Sequence, residues 1–248
     1  LDVSRGSVST ATGSIRCRHV VLATEAYGAR LPGRRRRVAP LYSLMIATEP
    51  LDPSQWREIG LDRRTTFSDL RRLVIYGQRT FDGRLAFGGR GAPYHFASRI
   101  EAPFDTDERV AAHLRATLVE LFPVLRGTAV THHWGGALGA PRDWSMAVSD
   151  EDGVLTGGGY VGDGVAASNL VGRILTSIVL GRDDDLVRLP IIGRRSRSWE
   201  PEPFRWLGIN ALLRLAALSD GGGSLSRLSG DRKSTRLNSS HANISYAV

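Results

Sequence analysis

The stretch 157–169 reads Gly-Gly-Gly-Tyr-Val-Gly-Asp-Gly-Val-Ala-Ala-Ser-Asn and separates a predicted strand at 154–157 from a predicted helix over 165–180. Glycines let a backbone approach a flat or anionic ligand closely, and the first N–H groups of a helix carry a partial positive charge. The stretch therefore predicts a tight turn at a ligand site. The alternative is a turn that serves only the packing of strand against helix.

Three of these glycines, Gly157, Gly159 and Gly162, also satisfy the G-x-G-x-x-G spacing of dinucleotide-binding folds. In such folds a second strand presents an acidic residue to the ribose about 20 residues further on. Here that distance falls in the polar segment 181–185, which has no strand pattern. The match is therefore not interpreted as a pyrophosphate site.

The rest of the chain contains two kinds of strand. Residues 15–24 end in a continuous apolar run, which is typical of a strand in a parallel sheet covered on both faces. A helical turn is expected at 25–31, and a helix after Thr106 that ends at Pro123. Antiparallel strands are predicted at 41–48, 72–77, 84–89 (after an Asp82-Gly83 hairpin turn), 128–134 and 145–149. This order indicates a mixed α/β fold, in which an α/β layer is interrupted by an antiparallel sheet.

The composition bounds the function classes. The 248 residues carry a formal net charge of +8, almost all from arginine because Lys233 is the only lysine. The one dense run, 34–37, has no aromatic residue to stack on bases, so a nucleic-acid partner is not expected. Cys17 is the only cysteine, which excludes an intrachain disulfide. With no apolar run near 20 residues and no signal peptide, we expect no membrane span and a cytoplasmic protein.

Three segments occur in a fixed order: His-Val-Val-Leu-Ala-Thr-Glu-Ala-Tyr at 19–27, Trp-Gly-Gly-Ala-Leu-Gly-Ala-Pro-Arg-Asp-Trp at 134–144, and the glycine stretch at 157–169. Together with the strand segment 85–96, they resemble FAD-dependent oxidoreductases of the D-amino-acid-oxidase/glycine-oxidase superfamily, particularly its gamma-glutamylputrescine-oxidase-like members. The likeness covers about residues 1–210 and implies FAD as the cofactor. It also implies that the family's dinucleotide fingerprint precedes Leu1, so that the chain is a C-terminal fragment, poorly folded and inactive alone.

The resemblance implies which residues lie against the FAD. The residues expected near its phosphate and ribitol are Ala23, Thr24 and Tyr27. Those expected to pass close to the flavin ring are Gly135 and Gly136. Those expected to face its pyrimidine edge are Gly159, Gly162, Asp163, Gly164 and Val165.

On the substrate side the chain departs from the amino-acid-oxidising relatives. There an arginine after the Trp-Gly segment pairs with the substrate carboxylate, whereas the matching residue here is Leu138. Arg142 either substitutes for it or forms a structural ion pair with Asp143. We therefore expect oxidation of an amine, such as a polyamine derivative, by hydride transfer to FAD. No catalytic residue is identified, and the substrate-side candidates are Arg90, Tyr94, His95, Arg142 and Asp143.

His132 and His133 are adjacent in a strand and so point to opposite faces, which argues against a metal site.

The domain organisation follows from the order of the predicted strands and helices and from the resemblance. The predicted divisions are an FAD-binding layer at 1–40 and 134–190, an antiparallel substrate domain at 41–133, a helical extension at 191–220, and a linker with an irregular tail at 221–248.

One alternative function belongs to another class. The arginines at 34–37 and 194–197 could form a non-catalytic basic binding module for an anionic partner such as nucleic acid. The oligomeric state is not predicted by the sequence.

Overall fold

The computed structural model describes residues 2–61, 63–89 and 91–221. The predicted linker and tail lie outside the described residues from residue 222 onward. The helices are α1 (Pro53–Ile59), α2 (Glu108–Leu121), α3 (Gly164–Val179) and α4 (Phe204–Gly221). The strands are β1 (Asp2–Ser4), β2 (Ser7–Thr10), β3 (Gly13–Arg16), β4 (Val20–Leu22), β5 (Ala39–Thr48), β6 (Phe67–Ser68), β7 (Ile75–Arg79), β8 (Leu85–Gly89), β9 (Val130–Ala140), β10 (Ala147–Glu151) and β11 (Val154–Gly158).

The segment predicted as one strand, residues 15–24, is divided between two sheets. Residues 13–16 pair antiparallel with β2, and only Val20–Leu22 pair parallel with β11. The prediction of one strand over 15–24 is therefore wrong. The backbone N–H of Cys17 donates to the carbonyl of Gly6 at 3.0 Å, which ends the first pairing before the chain enters the second sheet.

The α/β layer has the strand order β10-β11-β4, with β10 antiparallel to β11. Helix α3 covers one face of this layer. The core between this layer and α3 consists of Val148, Leu155, Val171, Ile174 and Leu175. The hairpin and the helix were both predicted, and α3 begins and ends within one residue of its expected bounds.

The second layer is an antiparallel sheet in the order β6-β7-β8-β5-β9. The side chains of Ile46, Phe87 and Leu118 meet in its core, where α1 and α2 pack against one face. Strand β7 begins at Ile75 and not at residue 72, because the N–H groups of Arg72 and Leu73 donate to the carboxylate of Asp220 instead of to a strand. Strand β9 extends past the predicted residue 134 to Ala140 and pairs with β5 along its length.

Local end signals account for the helices of this layer. The Asp107 carboxylate accepts the N–H groups of Arg109 and Val110, so Asp107 is the N-cap of α2 and Thr106 lies outside it. The short helix α1 was not predicted, although Asp52 and Gln55 form a reciprocal capping box at its start. The mixed α/β class is confirmed. In the described part of the chain, no helix is both long and apolar enough to cross a membrane.

Candidate functional site

The glycine turn (residues 157–165) connects β11 to α3. Gly159 has φ of +82°, a left-handed conformation that favours glycine, and a Cβ there would lie 2.6 Å from Cγ of Pro141. A Cβ on Gly157 would lie 2.5 Å from Cγ1 of Val171. These two glycines therefore permit close packing, which was the alternative reading of the turn.

The carboxylate of Glu25 occupies part of the turn. Its Oε1 accepts the N–H groups of Gly159 at 3.0 Å and Tyr160 at 2.9 Å, and its Oε2 accepts the N–H of Gly139 at 2.7 Å. The amides of Gly159 and Tyr160 are thus bonded within the protein. Sequence reasoning missed Glu25, although the residue lies within the recognised segment 19–27; no pattern marked its long-range partners.

The start of α3 is open to the surface. Helix α3 begins at Gly164, and the side chain of its N-cap residue, Asp163, makes no capping hydrogen bond. Val165 is 92% exposed, and Gly162 is also exposed. The positive end of the helix dipole therefore meets the surface, where it can stabilise an anionic or electron-rich group.

The predicted phosphate-side residues lie at the same edge as the glycine turn. Because β4 and β11 are parallel, their carboxyl ends meet at one edge of the sheet. Ala23 and Thr24 directly follow β4, and Thr24 and Gly159 line the same cleft. Tyr27 is half-exposed on the adjoining helical turn, Glu25–Arg30. Ligands of parallel α/β sheets bind outside such carboxyl ends.

Two of the three glycines of β9, Gly135 and Gly136, have different surroundings. A Cβ on Gly135 would overlap the side chain of Leu44, so this glycine allows β9 to lie close to β5. A Cβ on Gly136 would meet nothing within 4 Å. Gly136 therefore leaves an open patch of backbone that a flat ligand could approach.

A cavity lies between α4 and the sheet strands β5 and β9. It has a volume of about 490 Å³ and is called the α4 cavity below. Leu41 and Leu138, which are paired across β5 and β9, line it together with Val161 of the glycine turn. The glycine turn and strand β9 therefore share one largely apolar space. The sequence pointed to Leu138 and predicted a helical extension at 191–220, but it did not predict that α4 covers Leu138.

Tyr94 supports α4 and does not line the cavity. Its hydroxyl donates to Oε1 of Glu202 at 2.8 Å, and its backbone N–H donates to the side chain of Asn210. Burial raises the pKa of Tyr94 to about 12. The hydroxyl is therefore protonated at neutral pH and holds the segment that leads into α4.

The remaining substrate-side candidates are dispersed. His95 stacks on Phe104 with 3.5 Å between ring centroids, and burial lowers the pKa of its imidazole. Arg142 lines the α4 cavity, but its Nε lies 3.1 and 3.2 Å from the carboxylate oxygens of Glu200. Asp143 is paired with Arg194 at 2.9 Å and Arg142 with Glu200, so the Arg142–Asp143 ion pair, one of the two alternatives for Arg142, is not formed. Arg90 lies outside the described residues.

The two adjacent histidines have separate partners. Nδ1 of His132 lies 2.9 Å from the Thr131 hydroxyl, and Nδ1 of His133 lies 3.7 Å from Glu108. Across residues 2–61, 63–89 and 91–221, no group of three histidine, cysteine or acidic side chains is placed to hold a metal ion.

The two arginine runs meet at one cleft, which is lined by Arg34 and Arg37 of the first run and by Arg194 and Arg195 of the second. Glu151 lies 2.8 Å from Arg34 and 3.3 Å from Arg37. Arg194 is held by Asp143 as described above. Three of the seven arginines in the two runs, Arg34, Arg37 and Arg194, therefore form ion pairs within the chain.

The amino-acid sequence is similar to those of known proteins. The chain is 32% identical over 182 residues to the probable oxidoreductase OrdL of Rhizobium meliloti (strain 1021), covering 72% of this chain and 40% of the relative. It is 29% identical over 190 residues to the gamma-glutamylputrescine oxidoreductase of Escherichia coli (strain K12), covering 74% of this chain and 42% of that protein. The chain thus spans about 40% of the length of these relatives.

The fold also resembles solved structures. Glycine oxidase from Geobacillus kaustophilus superposes with a TM-score of 0.60 at 20% identity, over 77% of this chain and 49% of that structure. The sequence profile of the DAO family, described as FAD dependent oxidoreductase, matches residues 2–178. The resemblance inferred from the three sequence segments is confirmed, and the chain belongs to the DAO family of FAD-dependent oxidoreductases.

Proposed function

We propose that this chain provides the flavin edge and the substrate cavity of an enzyme that oxidises the carbon–nitrogen bond of an amine with FAD. The observation that carries the proposal is that Val161 of the glycine turn and Leu138 of β9 line one cavity. The cofactor turn and the space for a small molecule are therefore continuous. This is the arrangement that hydride transfer between a small substrate and a cofactor requires.

The residues present fit a flavin. Gly136 leaves backbone open to a flat ring, and Gly164 and Val165 begin the exposed positive end of α3. Ala23 and Thr24 lie at the carboxyl edge of the parallel strands, where phosphate and ribitol groups would bind. When bound, FAD supplies the acceptor for a hydride from the carbon next to nitrogen, and the imine product is then hydrolysed.

The chain's own residues orient the substrate and exclude water. The apolar wall formed by Leu41, Leu138 and Val161 favours the uncharged part of a substrate over water. The α3 N-terminus stabilises negative charge at the adjoining surface without rearrangement. These roles are binding and positioning, and they need no side chain that transfers a proton.

The wall also argues for an amine over a simple α-amino acid. Leu138 occupies the position where the amino-acid-oxidising relatives would have a carboxylate-binding arginine, and a leucine side chain cannot pair with a carboxylate. Arg142 is already paired with Glu200, with which a substrate carboxylate would have to compete. A substrate lacking an α-carboxylate therefore suits this cavity best.

The test compares phenylethylamine with phenylalanine, which differ only by the α-carboxylate. Each is mixed without oxygen with the FAD-loaded full-length protein, and bleaching of the visible flavin absorbance is followed. We expect the amine to bleach the flavin at least tenfold faster, and Leu138→Arg to reduce that preference. Leu70→Arg, at an exposed position, is the control. The proposal would be overturned if phenylalanine reduced the flavin and phenylethylamine did not, or if neither compound reduced it.

A further inference from the structure

We infer that the α4 cavity selects amines with a single cationic centre and an apolar body, and that it excludes diamines and polyamines. This inference rests on the proposed function and specifies its substrate class. It differs from the polyamine derivative that the sequence suggested, and the reason is that the cavity wall is largely apolar and its one acidic side chain among the described residues is already paired.

Most of the wall is apolar and comes from separate parts of the fold. Leu41 and Leu138 belong to the sheet, Val161 to the glycine turn, and Ile209 and Leu212 to α4. An aliphatic or aromatic body gains from contact with such a wall because its surface is removed from water. A second ammonium group on the same body would lose its hydration there.

Such a loss could be offset only by a carboxylate facing the cavity. Among the described residues, the only acidic side chain on the wall is Glu200. Its two oxygens lie 3.1 and 3.2 Å from Nε of Arg142, whose guanidinium also lies over the Trp199 ring at 5.0 Å. Glu200 is therefore already paired, and a second ammonium group would have to compete with Arg142 for it.

The other charges on the wall are arginines. Arg205 is 4% exposed and is neutralised by Glu202 at 2.9 Å, while its NH1 donates to the carbonyl of Arg35. Arg72 is exposed at the cavity rim, and its Nε donates to the Ser219 hydroxyl at 3.1 Å. It takes part in none of the ion pairs formed by the described residues.

The charge of Arg72 at the rim is offset by the Asp220 carboxylate, which accepts the backbone N–H groups of Arg72 and Leu73. Among the described lining residues, a dication would therefore meet no unpaired carboxylate, in a partly desolvated space where an uncompensated charge is costly. A monoamine brings only one cationic group, and that group can lose its proton before hydride transfer. The apolar wall and the pairing of Glu200 thus both disfavour a second ammonium group.

The experiment compares hexylamine with hexamethylenediamine, which share one carbon chain and differ by one amino group. Binding to the FAD-loaded full-length protein is measured without oxygen from the shift in flavin absorbance and from the rise in Tm. Flavin reduction is recorded in the same samples. We expect hexylamine to bind at least tenfold more tightly than the diamine.

The effect of charge at the rim is tested with Arg72→Glu, a substitution at an exposed position. It adds negative charge and is expected to tighten diamine binding about tenfold, and hexylamine binding by a smaller factor because hexylamine carries one cationic group. Arg115→Glu makes the same charge change on the exposed face of α2, away from the cavity, and should alter neither ligand.

The outcomes separate the two proposals. Equal or tighter binding of the diamine to the unmodified protein, with reduction by amines intact, would overturn the selectivity and leave the proposed function standing. An Arg72→Glu protein that behaves as Arg115→Glu does would also overturn it. Failure of every amine to reduce the flavin would overturn the proposed function and, with it, this inference.

Discussion

The Glu25 carboxylate accepts the backbone N–H of Gly139 at 2.7 Å, and through this bond the strand β9 is joined to the glycine turn. The same carboxylate holds the N–H groups of Gly159 and Tyr160. Glu25 itself has φ of +47°, an uncommon conformation for a residue with a side chain. One side chain thus fixes the distance between the two backbone segments to which we assign the flavin.

Replacing Glu25 should destabilise the protein. Glu25→Ala leaves three N–H groups without their acceptor, and we expect a loss of about 3 kcal/mol in the free energy of unfolding. Urea unfolding followed by circular dichroism measures it. Glu58→Ala removes an exposed carboxylate from α1 and is the control. Equal effects of the two substitutions would show that the Glu25 bonds contribute nothing.

Two glycines of β9, Gly136 and Gly139, should respond differently to substitution by alanine. A Cβ on Gly139 would overlap Oε2 of Glu25, whereas a Cβ on Gly136 would meet nothing within 4 Å. Gly139→Ala is therefore expected to cost about 1–3 kcal/mol of stability, as overpacking does. Gly136→Ala should leave the unfolding midpoint unchanged but weaken FAD binding, measured by quenching of flavin fluorescence. Unchanged FAD affinity in Gly136→Ala would argue against a flavin at this face.

The raised pKa of Tyr94 predicts a loss of stability in alkali. Its pKa is about 12 in the folded protein, against 10.0 for an unperturbed tyrosine, mainly because it is buried. The stabilisation is complete below pH 10 and declines as the pH rises towards 12. At pH 11 the two pKa values correspond to a loss of about 1.4 kcal/mol in the free energy of unfolding, relative to its value below pH 10.

Tyr94→Phe tests this dependence. The variant cannot ionise at this position, so its free energy of unfolding should fall less between pH 9 and pH 11 than that of the unmodified protein, by about 1.4 kcal/mol. Urea unfolding at pH 9 and pH 11 gives the change in the free energy of unfolding for each protein. Equal changes in the two proteins would mean that ionisation of Tyr94 does not cause the loss of stability.

The first turn of α2 offers a further comparison. Asp107→Ala removes the acceptor of the Arg109 and Val110 N–H groups and should cost about 1 kcal/mol. Thr106→Ala changes the preceding residue, which lies outside the helix, and should be nearly neutral. A larger loss from Thr106→Ala than from Asp107→Ala, measured by thermal unfolding, would assign the cap to the threonine.

The sequence predicts features whose causes are local. The Asp82-Gly83 hairpin turn and helix α3 depend on neighbouring residues, and both were placed correctly. The start of β7 was misplaced because its competing acceptor, Asp220, is distant along the chain. Glu25 was missed for the same reason, since its partners are more than 100 residues away. Single-sequence patterns carry no information on such partners.

The parallel pairing of β4 with β11 has a consequence for synthesis of the protein. Val20 pairs with Val154, so roughly 130 residues must be translated after β4 before its partner exists. At typical rates of elongation this takes on the order of 10 s. During that interval the apolar strand has emerged from the ribosome without β11 beside it. The nascent chain must therefore keep it from pairing with other chains, and slower translation of the intervening region would increase that hazard.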